Sequence, residues 1–233
     1  MTPRRLLNAV LSALIAPPCA VCGRILDDPL DGAVCGSCWD AIIPRWPCFA
    51  LPAIASARAI GPYDGILREV VHALKYDGRR SIAPRLSAMM ASQGHDVLTG
   101  ADLVVPVPLH ARRLRSRGFN QAEELARHLG VPMRCALKRI RATRPQVDLP
   151  AEARRDNVRD AFRLRRPLIG RCGIERAGTS RSADRPLQGY TIVLVDDVAT
   201  TGATLEACAR VLQAAGAAEV RALTAARVVS GPR

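Results

Sequence analysis

At 233 residues, with 48% apolar and 24% charged residues, the chain falls among ordinary soluble globular proteins, long enough for one good-sized core plus a small appendage. A net charge of +13 and a pI near 10.4 point to negatively charged partners: nucleic acid, anionic lipid or a phosphorylated small molecule. Only Lys75 and Lys138 are lysines among the 34 basic residues, a bias a GC-rich genome produces by itself, and 3% aromatic residues make a poor base-stacking surface, so composition leaves direct nucleic-acid binding open without arguing strongly for it.

The opening stretch MTPRRLLNAVLSALIAPP has the basic start and short apolar run of a signal peptide, yet it ends in Pro17-Pro18 rather than a small-x-small cleavage site. Its apolar residues Leu6, Leu7, Val10, Leu11, Leu14 and Ile15 fall at helical spacing and are too few to span a membrane. It reads as an amphipathic helix packed on the body of a cytoplasmic protein.

Cys19-x2-Cys22 and Cys35-x2-Cys38 follow, with twelve residues between the pairs. Each pair can turn two thiolates toward one ion, and this spacing suits tetrahedral zinc. Gly23 and Gly36, directly after Cys22 and Cys35, relieve crowding where the backbone folds round the metal. Two disulfides in a secreted protein are the alternative, and the paired pattern favours zinc. Four Cys ligands leave no open position, so the expected role is structural. Cys48, Cys135 and Cys172 show no spacing and no legible role, Cys208 reads as a core residue, and His72, His95, His110 and His128 are not placed as ligands. The cysteine-rich unit with its Pro-rich tail is expected to cover residues 1–50, and a second domain residues 51–233.

From Ala59 onward, helical and strand-like segments alternate. YDGILREVVHALKYDG (63–78) puts Ile66, Leu67, Val70, Val71 and Leu74 on one helical face, and IAPRLSAMMASQ continues as a helix. ADLVVPVPLH reads as a strand ending at a special turn, and NQAEELARHLG as a helix stopped by Gly130. Residues 164–190, rich in Gly, Ser, Pro and Arg, read mostly as an exposed loop. TIVLV is then a strand buried on both faces, LEACARVLQAAGA a helix and EVRALTAARVV a final strand, together a right-handed βαβ unit in a parallel sheet.

Ligands of such sheets bind beyond the carboxyl ends of the strands. There Asp196 and Asp197 precede ATTGAT, whose amides and Thr200, Thr201 and Thr204 hydroxyls can surround a phosphate at a helix N-terminus. Gly202 allows close backbone approach. Acids beside an anion nest make sense for a sugar phosphate: a ribose diol for the carboxylates and a 5′-phosphate for the loop. Simple helix capping accounts for one acid, not two followed by a Thr-Gly nest.

VLVDDVATTGATL closely resembles the 5-phosphoribosyl-1-pyrophosphate (PRPP) motif of type I phosphoribosyltransferases. CAVCG…CGSCW, YDGILREVVHALKYDGRR, VVPVPLHARRLRSRGFNQAEELA and RATRPQVDLPAEARRDNVRDAF then occur in the order seen in the competence protein F (ComF) family, RGFNQ being particularly specific. The resemblance implies an α/β type I phosphoribosyltransferase fold, a Rossmann-like parallel sheet flanked by helices, behind a small N-terminal zinc ribbon. It implies that Asp196 and Asp197 bind the ribose hydroxyls and that Ala199, Thr200, Thr201, Gly202, Ala203 and Thr204 hold the 5′-phosphate. It makes Val107, Pro108, Leu109 and His110 the pyrophosphate loop, with Arg112 and Arg113 nearby, and residues 139–157 a closing hood with candidate catalytic residues Arg144 and Gln146. Mg²⁺ would come chelated by PRPP.

Purine-salvage relatives carry an aspartate where this chain has Thr200, which argues against 6-oxopurine acceptors. The resemblance thus implies a PRPP-dependent pentosyl transfer of unknown acceptor, connected with DNA uptake and natural transformation. The alternative is a non-enzymatic PRPP- or nucleotide-sensing adaptor whose zinc ribbon docks a DNA-uptake helicase or DNA-processing protein. A third reading, direct single-strand DNA binding, would use the Arg-rich segments 112–117 and 154–166, whose charges read more readily as solvated loop.

Overall fold

The computed structural model describes Leu7 and residues 17–45, 49–141, 160–165 and 186–229. Four parallel strands, β1 (Ala57–Pro62), β2 (Leu103–Pro106), β5 (Thr191–Ala199) and β6 (Glu219–Arg227), form a sheet in the order β1-β6-β5-β2. Apolar runs fill its centre, where Leu194 lies between Val105 and Ala222. A strand buried on both faces needs no polar alternation, and the unbroken run TIVLV has none.

Period-two side-chain direction divides β5 between two core layers. Val193 and Val195 pack with Leu223 and Ala225 against α2 (Gly65–Tyr76), α3 (Ala83–Gln93) and α6 (Gln121–Ala126), which contribute Leu67, Val70, Val71, Leu74, Leu86, Met90 and Leu125. Ile192 and Leu194 face the other way, onto Leu205, Cys208 and Leu212 of α7 (Ala203–Ala214) and onto a small antiparallel pair, β3 (Leu137–Arg139) with β4 (Phe162–Leu164). Three further α-helices, α1 (Gly36–Asp40), α4 (His95–Leu98) and α5 (Ala111–Arg117), and two single 3-10 turns, Pro29–Asp31 and Arg80–Ile82, complete the described elements. The fold is the expected parallel sheet flanked by helices, and Cys208 is the core residue its apolar neighbours imply, fully buried in α7.

The cysteine-rich segment shares this core. Cys19, Leu26, Ala33, Val34, Cys38, Trp39 and Ile42 belong to the same buried cluster as α2 and α3, and the Arg45 amide donates to the Ile60 carbonyl of β1 (3.1 Å). Phe49, Leu51 and Ile54 then cross to the opposite layer.

Two expectations are corrected. β5 runs on to Ala199, paired with Arg227 of β6, so both aspartates lie inside the strand rather than past its end. The following helix begins at Ala203, two residues before Leu205, because Gly202 supplies the left-handed turn that starts it. Of residues 164–190, read mostly as an exposed loop, 166–185 lie outside the described residues; at the two ends Leu164 closes β4, and Leu187 is fully buried with its amide on the Ala215 carbonyl (3.1 Å). Of the expected N-terminal helix only Leu7 is described, and Cys48, Cys172, Arg144 and Gln146 lie outside the described residues. No described helix is long and apolar enough to cross a membrane.

Candidate functional site

Because Asp196 and Asp197 are consecutive in a strand, their side chains start toward opposite core layers. Asp197 meets α2: its Oδ1 is 2.9 Å from Lys75 Nζ, and each side chain keeps only 14% of its surface exposed. Lys75 Nζ also lies 5.6 Å from the centre of the Tyr63 ring. Burial alone would pull the ammonium down, yet Asp197 and then Tyr63 and Asp196 hold it above its usual value. Lys75, one of the chain's two lysines, was missed by sequence reasoning.

Asp196 turns toward α7 and β3, into the electrostatic reach of Arg139 and Cys208. Its Oδ1 accepts from the Asp197 amide (2.9 Å). Burial, then the neighbouring Asp197 charge, push its carboxyl up to about 7. The ordinary value is about 4, so between about pH 4 and 7 the folded chain binds this proton and the unfolded chain does not. Stability should therefore fall as pH rises through that window. Asp196→Asn, which keeps the acceptor and removes the charge, should melt about 2–6 °C above wild type at pH 8, a gap that closes toward pH 4. Thermal unfolding at both pH values checks this, and a variant less stable at pH 8 would overturn it.

Ala199 ends β5 fully covered, and Thr200 and Thr201 form the turn. Gly202 takes φ +80° and caps α7, with Ala203 and Thr204 in the first helical turn. A Cβ at 202 would meet Leu51 Cδ2 at 2.2 Å, so glycine here serves a left-handed backbone pressed on a buried leucine. Thr201 Oγ1 faces the Ala203 amide (3.5 Å), and Thr201 and Thr204 remain partly exposed at the helix start.

Beside this turn, β2 leads into Val107 and Pro108, both buried, then the half-buried Leu109 and His110. The Val107 amide donates to the Val195 carbonyl (2.9 Å), one residue before Asp196. His110 caps α5, its Nδ1 accepting from the Arg112 amide (3.3 Å), and Arg112 and Arg113 stand exposed on that helix. Arg139 is the second residue sequence reasoning missed as a site member. Its guanidinium lies 5.3 Å from the centre of the Phe162 ring, and burial, then the positive charge of Arg113, disfavour its charged form. The aspartates, the Thr-Gly turn, Val107–His110 and Arg113 thus gather at one end of the sheet.

The four patterned cysteines also come together, without disulfides, all Sγ atoms within 4.8 Å of one another. Sγ of Cys19 lies 4.0 Å from that of Cys38, and Sγ of Cys22 lies 3.7 Å from that of Cys35. Tetrahedral zinc at 2.3 Å from each sulfur requires edges of about 3.8 Å, so the set fits a metal. Amides of Val21 (3.5 Å) and Cys35 (3.3 Å) donate to Cys19 Sγ. The Ser37 hydroxyl lowers the Cys35 thiol to about 6, whereas burial and the neighbouring thiols raise Cys38. Four sulfurs this close cannot all ionise without a cation among them. Cys135, half-buried, lies outside this cluster.

The phosphoribosyl transferase domain family matches residues 114–232, a span holding α6, β5, the Thr-Gly turn, α7 and β6. The sheet and the strand-turn-helix are those of a phosphoribosyltransferase-like domain. Over 218 residues the chain is 32% identical to DNA utilization protein YhgH of Salmonella typhimurium, covering 87% of each chain. It is 28% identical over 222 residues to competence protein F of Haemophilus influenzae (91% of this chain, 85% of that one). It is likewise 28% identical over 211 residues to competence protein ComFC of Bacillus subtilis (90% and 77%). The chain belongs to the ComF family of phosphoribosyl transferase domain proteins.

Proposed function

We propose that the chain binds PRPP, or a closely related ribose phosphate, across the carboxyl ends of β5 and β2, in the setting of DNA uptake and use that its relatives' names indicate. The observation that carries the reading is the run from two aspartates straight into a left-handed glycine and a helix N-terminus. In this reading Asp196 and Asp197 take the ribose hydroxyls. Thr200–Thr204 take the 5′-phosphate, and Val107–His110 with Arg113 and Arg139 face the pyrophosphate.

Mg²⁺ carried by the pyrophosphate would supply charge neutralisation on the leaving group. The chain's own part in a pentosyl transfer is to place cations at that end and to hold the ribose, so that pyrophosphate can leave C1 as positive charge develops there. Thr200 stands where a purine-handling aspartate would be, so the acceptor is not a 6-oxopurine. Reduced CxxC pairs suit a cytoplasmic setting.

Titration calorimetry with PRPP and Mg²⁺ tests the reading. Binding is expected, and Asp196→Asn with Asp197→Asn should weaken it by about 100-fold, two charge-assisted hydrogen-bonding groups being removed. No binding, or binding indifferent to the double variant, overturns it.

A second reading, a PRPP-sensing adaptor docking a DNA-uptake helicase or DNA-processing protein, is favoured by Ile25, Leu30 and Ile43, apolar residues 55%, 41% and 71% exposed on the cysteine-rich segment. Pyrophosphate release from PRPP with a panel of nitrogen nucleophiles separates enzyme from sensor. Direct DNA binding through the exposed arginines of α5 would show as an affinity falling steeply with salt.

A further inference from the structure

Arg117-Gly118-Phe119-Asn120-Gln121 joins α5 to α6, and none of its residues belongs to the ligand site described above. It is nonetheless tightly built. Gly118 ends α5 at φ +79°, Phe119 lies under the Arg80 guanidinium at 4.5 Å, and Arg80 also donates to the Gly118 carbonyl (3.2 Å). Arg117 Nη1 donates to Gln121 Oε1 (2.8 Å), while Gln121 Nε2 is buried with no hydrogen-bond partner among the described residues. An orphan buried donor costs about 1–3 kcal/mol, so stability alone does not account for the segment.

The buried Asn120 carboxamide works in two directions. Its Oδ1 accepts from the Ala122 amide (3.2 Å), capping α6, and its Nδ2 donates to the Val107 carbonyl (3.0 Å). Val107 also donates its amide to Val195, the neighbour of Asp196. The peptide entering Pro108 is thus fixed on one side by the strand that carries the acids and on the other by Asn120. Capping alone would accept Ser, Thr or Asp as readily. The second bond requires a donor that reaches the Val107 carbonyl while the acceptor stays at the cap, which Asp lacks and which Ser, with a single oxygen on a side chain one bond shorter, does not carry that far.

We propose that Asn120 is a positioning residue that sets the Val107–His110 loop against Asp196 and Asp197, and so fixes the distance between the pyrophosphate end and the ribose end of the bound ligand. This rests on the ribose-phosphate reading above. The 5′-phosphate turn is built on β5 and α7 without Asn120, so the residue selects for ligands that carry the pyrophosphate.

The test compares PRPP with ribose 5-phosphate, both with Mg²⁺, on the full chain as wild type, Asn120→Asp and Asn120→Ser. Both variants keep a cap acceptor, and the serine adds no charge, so it decides the matter if the aspartate variant folds poorly. Each should bind PRPP about 10- to 100-fold more weakly, the effect of misplacing a binding group by about 1 Å, with ribose 5-phosphate affinity within about twofold of wild type. Equal losses for both ligands, or no loss for either, would overturn the assignment while leaving the ribose-phosphate reading of the wild-type chain standing. A wild-type chain that binds neither ligand overturns the ribose-phosphate reading itself, and this inference with it.

Discussion

Lys75→Met is expected to destabilise the chain by about 3–5 kcal/mol at pH 8, the cost of removing one partner of a buried ion pair. The pair is unusually well enclosed, with Nζ 2.9 Å from Asp197 Oδ1 and each side chain 14% exposed. Methionine fills the same volume, so the loss is electrostatic rather than a cavity. Its pH dependence identifies the cause. The ammonium is held above its ordinary value, so its contribution is complete at neutral pH and is lost only as pH rises through that raised value. Asp196, raised to about 7, protonates as pH falls below neutrality and relieves the crowding of negative charge that the variant leaves behind. The difference from wild type should therefore be widest between about pH 8 and 10 and narrow toward pH 5. Urea unfolding at pH 5 and pH 8 measures it, and a difference independent of pH would show that Lys75 acts by packing alone. Lys75→Arg keeps the charge but brings a planar fork into a site shaped for a point charge, and an intermediate loss is expected.

That pair also shows where sequence reasoning stops. β5, the Thr-Gly turn and α7 were legible because an unbroken apolar run, a glycine at a special backbone position and a helical period are local signals. The four cysteines were legible because spacing encodes their convergence. Lys75 was not, since nothing local reveals that α2 crosses the sheet face at the height of Asp197, far along the chain. β1, with the sequence ARAIGP, and the three-residue strands β3 and β4 carry no pattern of their own and exist through pairing with distant partners. Arg139 was read only as the start of the hood for the same reason, being brought within electrostatic reach of Asp196 by a strand too short to announce itself. The divergence of the two acids was hidden by ending the strand at Val195: once β5 is carried to Ala199, alternation alone puts them on opposite faces. Asn120 illustrates a third case, where RGFNQ was distinctive as a string but its role depends on which carbonyl lies within reach.

Cys38→Ala should have the largest effect, because the four-cysteine cluster and the main core are one structure. Zinc held by four thiolates contributes on the order of 10 kcal/mol or more in small peptides, where the fold depends on it entirely. Here Cys19 and Cys38 are buried in the same cluster as Trp39, Ile42, Leu67 and Val71, so the ligands anchor the layer that covers α2. Removing one thiolate leaves three sulfurs, and the variant should hold well under one zinc per chain while wild type holds about one. The loss should not stay local. With α2 carrying Lys75 toward Asp197, a loosened cysteine segment frees the helix that neutralises the acid pair, and unfolding should remain a single transition shifted down by about 5 kcal/mol or more rather than splitting into two. Chelator added at moderate urea should unfold wild type in the same way. Cys135→Ala, a thiol outside the cluster, provides the control: full zinc content is expected. Metal analysis of reduced, zinc-replete protein together with urea unfolding decides the matter. Less than about one zinc in wild type would remove the metal site, while normal zinc in Cys38→Ala would remove that thiolate from it. A separate early transition for the variant would show that the cysteine segment folds independently of the sheet despite sharing its core.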